Sequence, residues 1–550
     1  MEQPPAAVEL TEYPTYGEID CEGNTFNGLP YTGSVQRISA TDASTVVFEL
    51  CGPDPAFLSK IAFSAFAIHD TDYLLNHAAD KSIVTEPNGT GPYRLVEFRQ
   101  GEQVIFEAFP DYWGEQPVAA DAVLRWSSEA GQKFVELTSG AVDGIDNVQP
   151  DDIEAIQGDP NLNLIDREGF NVFYIGMNRD EPPFNNVKVR QAIALGIDRQ
   201  GLIDQFFAPG STVADYFTPC IIPFACDGTA FPAFNLPEAQ RLLAEGLAEE
   251  SMDSLTTTLN YRVVDRAYLP LPDQVALAIV DQLEQNLGIT ATPEEQESGT
   301  FIDNANNGRL RGLHLLGWTG DYPDTSNFLD NHFGPGTTIQ FGQIYDDIAD
   351  ALTRAGSTSV EAERLAAYEE ANTLLATHFP MLPVAHAGSA TAWRADVEGA
   401  HSSPLGNEAL FAVSGGADDQ VVFMQSGPPL GLYCADETDG ESLRACEQIS
   451  EALYKFEVGG FDAEPGLATG CEANEDLSVW TCTLREGVTF HDGAALDAGD
   501  VVMSYAVQWD NLHPLHVGRA GNFAYWGGTW GGYLNPDAPC GISGQPACED

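Results

Sequence analysis

Alternating apolar and polar positions predict paired strands in the first part of the chain. Ser34–Leu50 has this alternation at Val46, Phe48 and Leu50 together with a polar turn, so two adjacent strands are expected there. Asn88–Gly114 has a related pattern interrupted by glycines, which indicates a hairpin. Both segments therefore predict strands that are joined by short turns.

A helical period replaces this alternation in later segments. Lys188–Phe207 is predicted to form one helix, capped by Asn185, because its apolar residues recur at helical spacing. Further helices are predicted over Asn235–Gly246 and Pro272–Leu287. Because strands and helices alternate through the middle of the chain, the pattern predicts an α/β fold class. The apolar positions of the first helix are Val189, Ala192, Ile193, Gly196 and Ile197.

The charge balance excludes two classes of partner. The chain has 550 residues, with 83 Asp and Glu against 24 Lys and Arg, and a formal net charge of −59. Nucleic-acid binding needs a basic face that neutralises phosphates, and anionic lipids attract clustered Lys and Arg. Neither is therefore expected as a partner. An acidic surface keeps a protein soluble and would also attract cationic ligands.

The ten cysteines fall into neighbouring pairs. Zinc ligation would favour CxxC spacing, which is not present, so local disulfides and an oxidising compartment are expected. No apolar run approaches the roughly 18 residues needed to cross a bilayer, and the first residues do not read as a signal peptide. We therefore expect an exported protein whose export signal is absent from this chain. The pairs are Cys21/Cys51, Cys220/Cys226, Cys434/Cys446, Cys471/Cys482 and Cys540/Cys548.

Histidines near carboxylates invite a catalytic interpretation, but the local patterns do not favour it. His491–Gly493 reads His-Asp-Gly after a strand predicted to end at Phe490, and Asp-Gly is typical of a turn. His513 and His516 have metal-ligand spacing on a helix, but Pro514 lies between them. No nucleophile elbow, zinc-protease, P-loop or dinucleotide motif is present. A glycosidase-type carboxylate pair stays open as an alternative.

His314–Leu329 has the composition of a ligand-holding loop. Apolar Leu315 and Leu316 lead into Gly317-Trp318, and a loop with two Asp, a Tyr and a Pro follows. An aromatic ring beside a carboxylate at the end of a strand suits a ligand ammonium group. The alternative is a surface loop that carries a core tryptophan.

Six segments together resemble the family 5 extracellular solute-binding proteins, the dipeptide-, oligopeptide- and nickel-binding receptors of ABC importers. The segments are TLREGVTFHDGAALDAGDVVMSY, GTGPYRLVEF, PDYWG, PPFNNVKVRQAIALGIDR, GWTGDYPDTSNF and FPMLPVAH. The resemblance implies a fold like that of type II periplasmic binding proteins, with two hinged α/β lobes and a smaller extra domain. The ligand would lie in a cleft between the lobes, which close over it.

The order of the segments departs from the family. TLREGVTFHDG resembles a segment that comes early in the family but is last here, and FPMLPVAH resembles the family's C-terminal end. Residues 34–58 resemble what should follow residue 535, so the chain is predicted to be circularly permuted, with Ser414–Gln420 as a linker. Loops at the surface tolerate such a change. The implied domains are 87–178 and 385–450 for lobe I, 179–384 for lobe II, and 451–550 with 1–86 for the extra domain.

The resemblance also implies ligand-binding residues. In peptide-binding members, an Asp in the segment matching GWTGDYPD pairs with the α-ammonium group of the ligand, and that residue is Asp321 here, with Trp318 and Tyr322 beside it. Arg262 and Arg266 follow a predicted strand and suit a ligand carboxylate, on chemistry alone. The segment ADETDGES matches a cleft-lining segment, and FPMLPVAH matches one that carries a cleft aromatic. The residues they add are Glu437, Thr438, Asp439 and His386.

We therefore predict a solute-binding receptor of an ABC importer that captures peptides and delivers them to a membrane permease. It is expected to be a monomer without catalysis or cofactor, outside the cell, in the periplasm or anchored by lipid. A nickel or haem complex held by His386 and His401 is a weaker alternative. A secreted hydrolase, such as a glycosidase with a carboxylate pair, is the alternative from another class.

Overall fold

The computed structural model describes residues 11–26, 28–264, 266–335, 337–415 and 419–536. Its strands are β1 (Glu12–Tyr13), β2 (Thr25–Phe26), β3 (Leu29–Pro30), β4 (Val35–Asp42), β5 (Thr45–Leu50), β6 (Tyr93–Arg99), β7 (Gln103–Ala108), β8 (Asp121–Trp126), β9 (Gly144–Ile145), β10 (Leu162–Arg167), β11 (Asn171–Met177), β12 (Thr212–Val213), β13 (Thr256–Arg262), β14 (Thr290–Gln296), β15 (Leu313–Thr319), β16 (Met381–His386), β17 (Ser389–Arg394), β18 (Gln420–Gln425), β19 (Tyr454–Phe456), β20 (Ala463–Pro465), β21 (Ala468–Ala473) and β22 (Val479–Leu484).

The α-helices are α1 (Phe57–Lys60), α2 (Thr71–His77), α3 (Ala130–Ser139), α4 (Pro150–Gly158), α5 (Val187–Gly196), α6 (Arg199–Phe206), α7 (Leu236–Glu249), α8 (Pro272–Leu287), α9 (Ser298–Asn306), α10 (Thr325–Phe333), α11 (Asp346–Gly356), α12 (Glu361–His378), α13 (Gly440–Glu447), α14 (Ala498–Trp509) and α15 (Ala524–Trp530). None of the helices in the described ranges is both long and apolar enough to cross a membrane.

The chain divides into two compact units. Unit 1 takes in the residues up to Val148, Asp152–Ile165 and the residues from Thr391 onward. Unit 2 consists of Gln149–Asp151 and Asp166–Ala390. Both units combine sheets with helices, so the predicted α/β class is confirmed. The finer division into two lobes and an extra domain stays a prediction.

One sheet of unit 1 has the order β1-β4-β5-β22-β21. It joins strands from opposite ends of the chain, because Val46 lies opposite Cys482 and Phe48 opposite Trp480 in the antiparallel β5–β22 pair. The alternating apolar residues of β5 are buried, as predicted, and α14 packs on β4 and β5. A circular permutation requires this pairing, but the permutation itself is not confirmed and stays a prediction.

The other large sheet of unit 1 has the order β10-β17-β9-β18-β8-β7-β6. The antiparallel pair β6–β7 confirms the predicted hairpin. Gly91 N–H, just before β6, donates to the carbonyl oxygen of Ile449 at 2.7 Å. A Cβ atom at Gly89 would lie 2.1 Å from that same oxygen. The two glycines therefore let the backbone approach the segment that follows α13.

The sheet of unit 2 has the order β12-β16-β11-β15-β13-β14. Strand β13 runs parallel to β14 and β15, whereas β11 is antiparallel to β15 and β16. Helix α8 connects β13 to β14 and packs on both. Because β13 and β15 are parallel, their carboxyl ends, at Arg262 and Thr319, reach the same edge of the sheet. Ligands of open α/β sheets bind outside such an edge.

Several local predictions need correction. The segment predicted as one helix forms α5 and α6, because Asp198 leaves the helical conformation and accepts a hydrogen bond from Gly201 N–H at 3.1 Å, which begins a second helix. The cap of α5 is Asn186, which accepts from Lys188 N–H at 3.0 Å, and the prediction of Asn185 was wrong. Asn235 does cap α7, but that helix continues past Gly246.

The predicted turn at His491–Gly493 is confirmed. Gly493 has a φ of +93°, which a turn of this kind requires, and the His491 ring lies 3.0 Å from the carbonyl oxygen of Gly91. The strand predicted to reach Phe490 is only an isolated bridge between Thr489 and Ala495. His491 therefore helps to hold the framework.

Four predicted disulfides are present. They are Cys21–Cys51, Cys220–Cys226, Cys434–Cys446 and Cys471–Cys482. The predicted pair Cys540/Cys548 and part of the predicted linker lie outside the described residues.

Candidate functional site

The loop between β15 and α10 presents the central candidate residues of unit 2. Strand β15 ends at Thr319, and α10 begins where the Asp324 side chain accepts from Ser326 N–H at 2.9 Å. This cap satisfies a free N–H of the first helical turn and fixes the direction of the helix. Asp321 is thereby held beside the carboxyl end of the strand, close to Trp318.

Asn327, in the first turn of α10, connects Trp318 to Asp321. Its side-chain oxygen accepts from the Trp318 indole N–H at 3.1 Å and from the Asp321 backbone N–H at 3.0 Å. Its amide nitrogen donates to Asp321 Oδ2 at 3.1 Å. Asn327 is completely buried, so this network holds the indole ring and the carboxylate in one arrangement.

The structure places no counter-cation beside Asp321 in the part of the chain that it describes. Among the described residues no Lys, Arg or His forms an ion pair with its carboxylate, and Asn327 is the one side chain seen to donate to it. Burial raises the pKa of Asp321 to about 6, and the Asn327 hydrogen bond acts in the opposite direction. The neighbouring His332 does not supply charge, because burial lowers its pKa to about 4. A half-buried carboxylate of this kind is available to a cationic ligand group.

The second aspartate of the loop is engaged differently. Both carboxylate oxygens of Asp324 accept from Arg364, at 2.7 and 2.9 Å, and both residues are buried. The pair connects the start of α10 to α12. Asp324 therefore stabilises the loop, whereas Asp321 keeps capacity for an external partner.

Arg262 lies at the same edge of the sheet as Trp318. Its guanidinium donates to Ser298 Oγ at 2.8 Å and to Tyr268 Oη at 3.0 Å. Within the described ranges it forms no ion pair with a carboxylate. The Tyr268 ring packs directly over Gly317, where a Cβ atom would lie 2.3 Å from it. Arg262 is therefore a cation that no described carboxylate neutralises, and Tyr268 connects it to the strand that carries Trp318.

The remaining ligand-binding candidates of unit 2 are Tyr322, Arg266 and His386. Tyr322 is buried beside Asp321, and Arg266 is exposed in the turn that follows β13. The His386 ring lies 2.7 Å from the carbonyl oxygen of Asn171, and burial lowers its pKa to about 4, so it is neutral. Their roles toward a ligand stay predictions.

The candidates of unit 1 mostly have structural partners. The Arg519 guanidinium donates to both oxygens of the buried Glu437, at 2.8 and 2.9 Å. Asp439 caps α13 by accepting from Ser442 N–H at 2.8 Å, and Thr438 is exposed. A ligand would have to compete with Arg519 for Glu437. Direct ligand contact by these three residues stays a prediction.

Sequence reasoning missed Asn327 and Tyr268. Asn327 belongs to the segment GWTGDYPDTSNF, but nothing in the pattern shows that one amide contacts two residues that lie before the helix. Tyr268 approaches Gly317 only because β13 and β15 are neighbours. No group of three or more His, Cys, Asp and Glu in the described chain is arranged to hold a metal ion.

The fold is that of a bacterial solute-binding protein. The family model of bacterial extracellular solute-binding proteins, family 5 (middle region), matches residues 12–340 and 462–520. The chain belongs to this family, which confirms the resemblance and the function class that it implied. The hydrolase alternative gains no support.

Curated relatives and solved structures agree with this assignment. Di/tripeptide-binding protein 1 of Pseudomonas aeruginosa is 28% identical over 414 residues, covering 74% of each chain. Heme-binding protein A of Haemophilus influenzae is 25% identical over 398 residues, covering 71% of each. Among solved structures, HbpA2 of Haemophilus parasuis has a TM-score of 0.62 at 26% identity and covers 70% of this chain and 76% of its own. The fold is therefore of the type II periplasmic-binding-protein class.

Proposed function

We propose that this protein captures peptides with a free amino terminus, and that Asp321 binds their α-ammonium group. The supporting observation is the half-buried Asp321 carboxylate, which lies beside the Trp318 ring and has no counter-cation among the described residues. A charge-assisted hydrogen bond to a charged group contributes about 1.5–3 kcal/mol, and the indole adds a cation–π contact. The di/tripeptide-binding relative favours the same ligand class.

The opposite charge of a peptide terminus has a matching group at the same edge. Arg262 presents a guanidinium that no described carboxylate neutralises, and Arg suits bidentate carboxylate recognition. If the protein recognises mainly the two charged ends of a peptide and makes few contacts with its side chains, it would bind peptides of many sequences. Short peptides, whose two termini are close together, are the preferred class.

The protein hands its ligand to an ABC permease and carries out no reaction on it. Members of its family are extracellular or periplasmic receptors, and the four disulfides suit an oxidising compartment. We propose that the mature receptor works there as a monomer, which binds its ligand and releases it without converting it.

Calorimetric titration of the dipeptide Met-Leu tests this function. Saturable binding of unmodified Met-Leu is expected, without hydrolysis products by mass spectrometry. N-acetylation or Asp321→Asn should weaken binding tenfold or more, and C-terminal amidation or Arg262→Gln should weaken it less. Exposed Asp281→Asn and Arg309→Gln are matched controls and should bind normally.

Two results would contradict the proposal. Equal affinity for acetylated and free-amine Met-Leu would remove the role of Asp321. If Met-Leu does not bind, mass spectrometry of small molecules released from the purified protein identifies the solute class, and a solute without an ammonium group would overturn the peptide assignment.

A further inference from the structure

Unit 1 contains a cavity of about 120 Å³ that is separate from the Asp321 loop. Its wall includes the chain that follows α13, the segment 403–411 and Tyr112. A single water molecule needs only about 10–15 Å³ of cavity volume, so this cavity has room for a small organic molecule. Apolar side chains, among them Leu405, Phe411 and Val458, form much of its wall.

Two glutamates face this cavity. Glu451 accepts from Tyr112 Oη and Trp113 Nε1, both at 2.8 Å, and from Thr90 Oγ1 at 3.0 Å. Glu447 accepts a hydrogen bond from Asn407 Nδ2 at 2.7 Å, and the Ser64 hydroxyl and the Arg444 charge also stabilise its ionised form. Burial raises the pKa of Glu447 to about 7. Glu451 therefore belongs to the framework, whereas Glu447 keeps hydrogen-bonding capacity.

The charge of the wall favours a cation. Glu447, Glu451 and Glu457 line the cavity together with Lys455 as its one basic residue. Within the described chain neither Glu447 nor Glu451 forms an ion pair. The Lys455 ammonium lies 6.0 Å from the centre of the Phe411 ring. An anionic ligand would meet three carboxylates here.

Ser450 supplies independent evidence for a ligand. Its side chain lines the cavity and the residue is only 4% exposed. Its Oγ has no hydrogen-bond partner among the described residues. A buried hydroxyl without a partner is costly, and a ligand N–H in the cavity would satisfy it.

We propose that this cavity is a second ligand site, which binds a small primary alkylammonium ion. Glu447 is the charge partner, Ser450 Oγ accepts one ammonium N–H, and Tyr112 and Phe411 enclose the alkyl chain. The apolar share of the wall favours an alkylammonium ion over a strongly hydrated metal cation. The site lies within unit 1, so it does not depend on the proposed peptide function.

Calorimetric titration with butylammonium chloride at 0.15 M NaCl tests the site, since salt screens general attraction to the acidic surface. A saturable site that remains in Asp321→Asn is expected, since Asp321 can itself bind an ammonium group. Glu447→Gln should weaken binding tenfold or more and Ser450→Ala about threefold, whereas exposed Glu472→Gln should match the wild type. 1-Butanol, with the same alkyl chain, should bind more weakly. Asp321→Asn should bind butylammonium normally, which separates this site from the peptide site.

Three results would overturn the proposal. They are no binding at millimolar butylammonium, equal affinity in Glu447→Gln and the wild type, and equal affinity for 1-butanol. Circular dichroism and melting curves establish that each variant is folded. If Glu447→Gln does not fold, Ser450→Ala decides: its affinity should fall, and an unchanged value would contradict the site.

Discussion

The Trp318 indole N–H and the Asp321 backbone N–H donate to the same atom, the side-chain oxygen of Asn327, at 3.1 and 3.0 Å. The amide nitrogen of Asn327 donates in turn to the Asp321 carboxylate. One buried amide thus sets the position of an aromatic ring and of an anionic group. The proposed ligand edge of unit 2 would depend on this amide as much as on the two residues proposed to contact a ligand.

Replacing Asn327 should therefore weaken ligand binding without direct ligand contact. Asn327→Ala removes the donor to Asp321 and leaves the indole N–H without its acceptor, so we expect Met-Leu affinity to fall about tenfold at pH 7. The pKa of Asp321 should rise further, because the hydrogen bond that lowers it is lost. Calorimetry measures the affinity. Asn331→Ala, one helical turn further on, is the control, and an equal loss there would contradict a specific role for Asn327.

Affinity for free-amine peptides should increase with pH. The carboxylate form of Asp321 binds the ammonium group, and its pKa is raised to about 6. Between pH 5 and 7.5 the ionised fraction rises about tenfold, and the affinity for Met-Leu should follow it. Calorimetry at several pH values measures this dependence. Asp321→Asn should show a flat profile, and a wild-type profile equally flat would show that Asp321 does not bind the ammonium.

The same pKa shift affects stability with the opposite sign. The folded-state pKa of Asp321 lies above the ordinary value of 3.8, so the folded protein holds this proton more tightly than the unfolded chain. Asp321 therefore lowers the free energy of unfolding as the pH rises from about 4 to about 6. Without ligand, Asp321→Asn should be more stable than the wild type at pH 7.5, as urea unfolding would show. A less stable variant would contradict this.

Breaking the Asp324–Arg364 pair should destabilise unit 2. Asp324→Asn leaves the buried Arg364 guanidinium without its carboxylate, which typically costs about 3–5 kcal/mol. The free energy of unfolding in urea measures the loss. Asp303→Asn breaks the exposed pair with Arg309 and should cost at most about 1 kcal/mol. Similar losses of unfolding free energy in the two variants would show that burial does not set the cost of breaking these pairs.

Gly317 should not tolerate a methyl group. A Cβ atom there would lie 2.3 Å from the Tyr268 ring and 2.4 Å from the carbonyl oxygen of Val172, so Gly317→Ala should cost about 1–3 kcal/mol of stability. It should also lower Met-Leu affinity by moving Tyr268 and, with it, Arg262. Gly356→Ala, where the Cβ atom meets open space in α11, is the control and should be neutral or stabilising. A neutral Gly317→Ala would show that the edge is loosely packed.

The sequence by itself determined the elements whose signal is local. The alternation at Val46 and Phe48 predicted β5, the span Pro272–Leu287 predicted α8, and Asp-Gly predicted the turn at His491–Gly493. These features depend on periodicity and turn chemistry, which neighbouring residues carry. The break after Gly196 was missed, because the apolar period continues across it, although Ile197 leaves the helical conformation and Asp198 caps a new helix.

Only the tertiary structure decided which candidate side chains have partners. Asp321 and Asp324 are three residues apart in one loop, yet Arg364, which lies in α12, neutralises only the second. Glu437 pairs with Arg519, which is 82 residues away in the chain, and Asn327 connects Trp318 to Asp321. The sequence shows that a carboxylate is present. Packing between distant segments decides which cation it pairs with, and no local pattern records that packing.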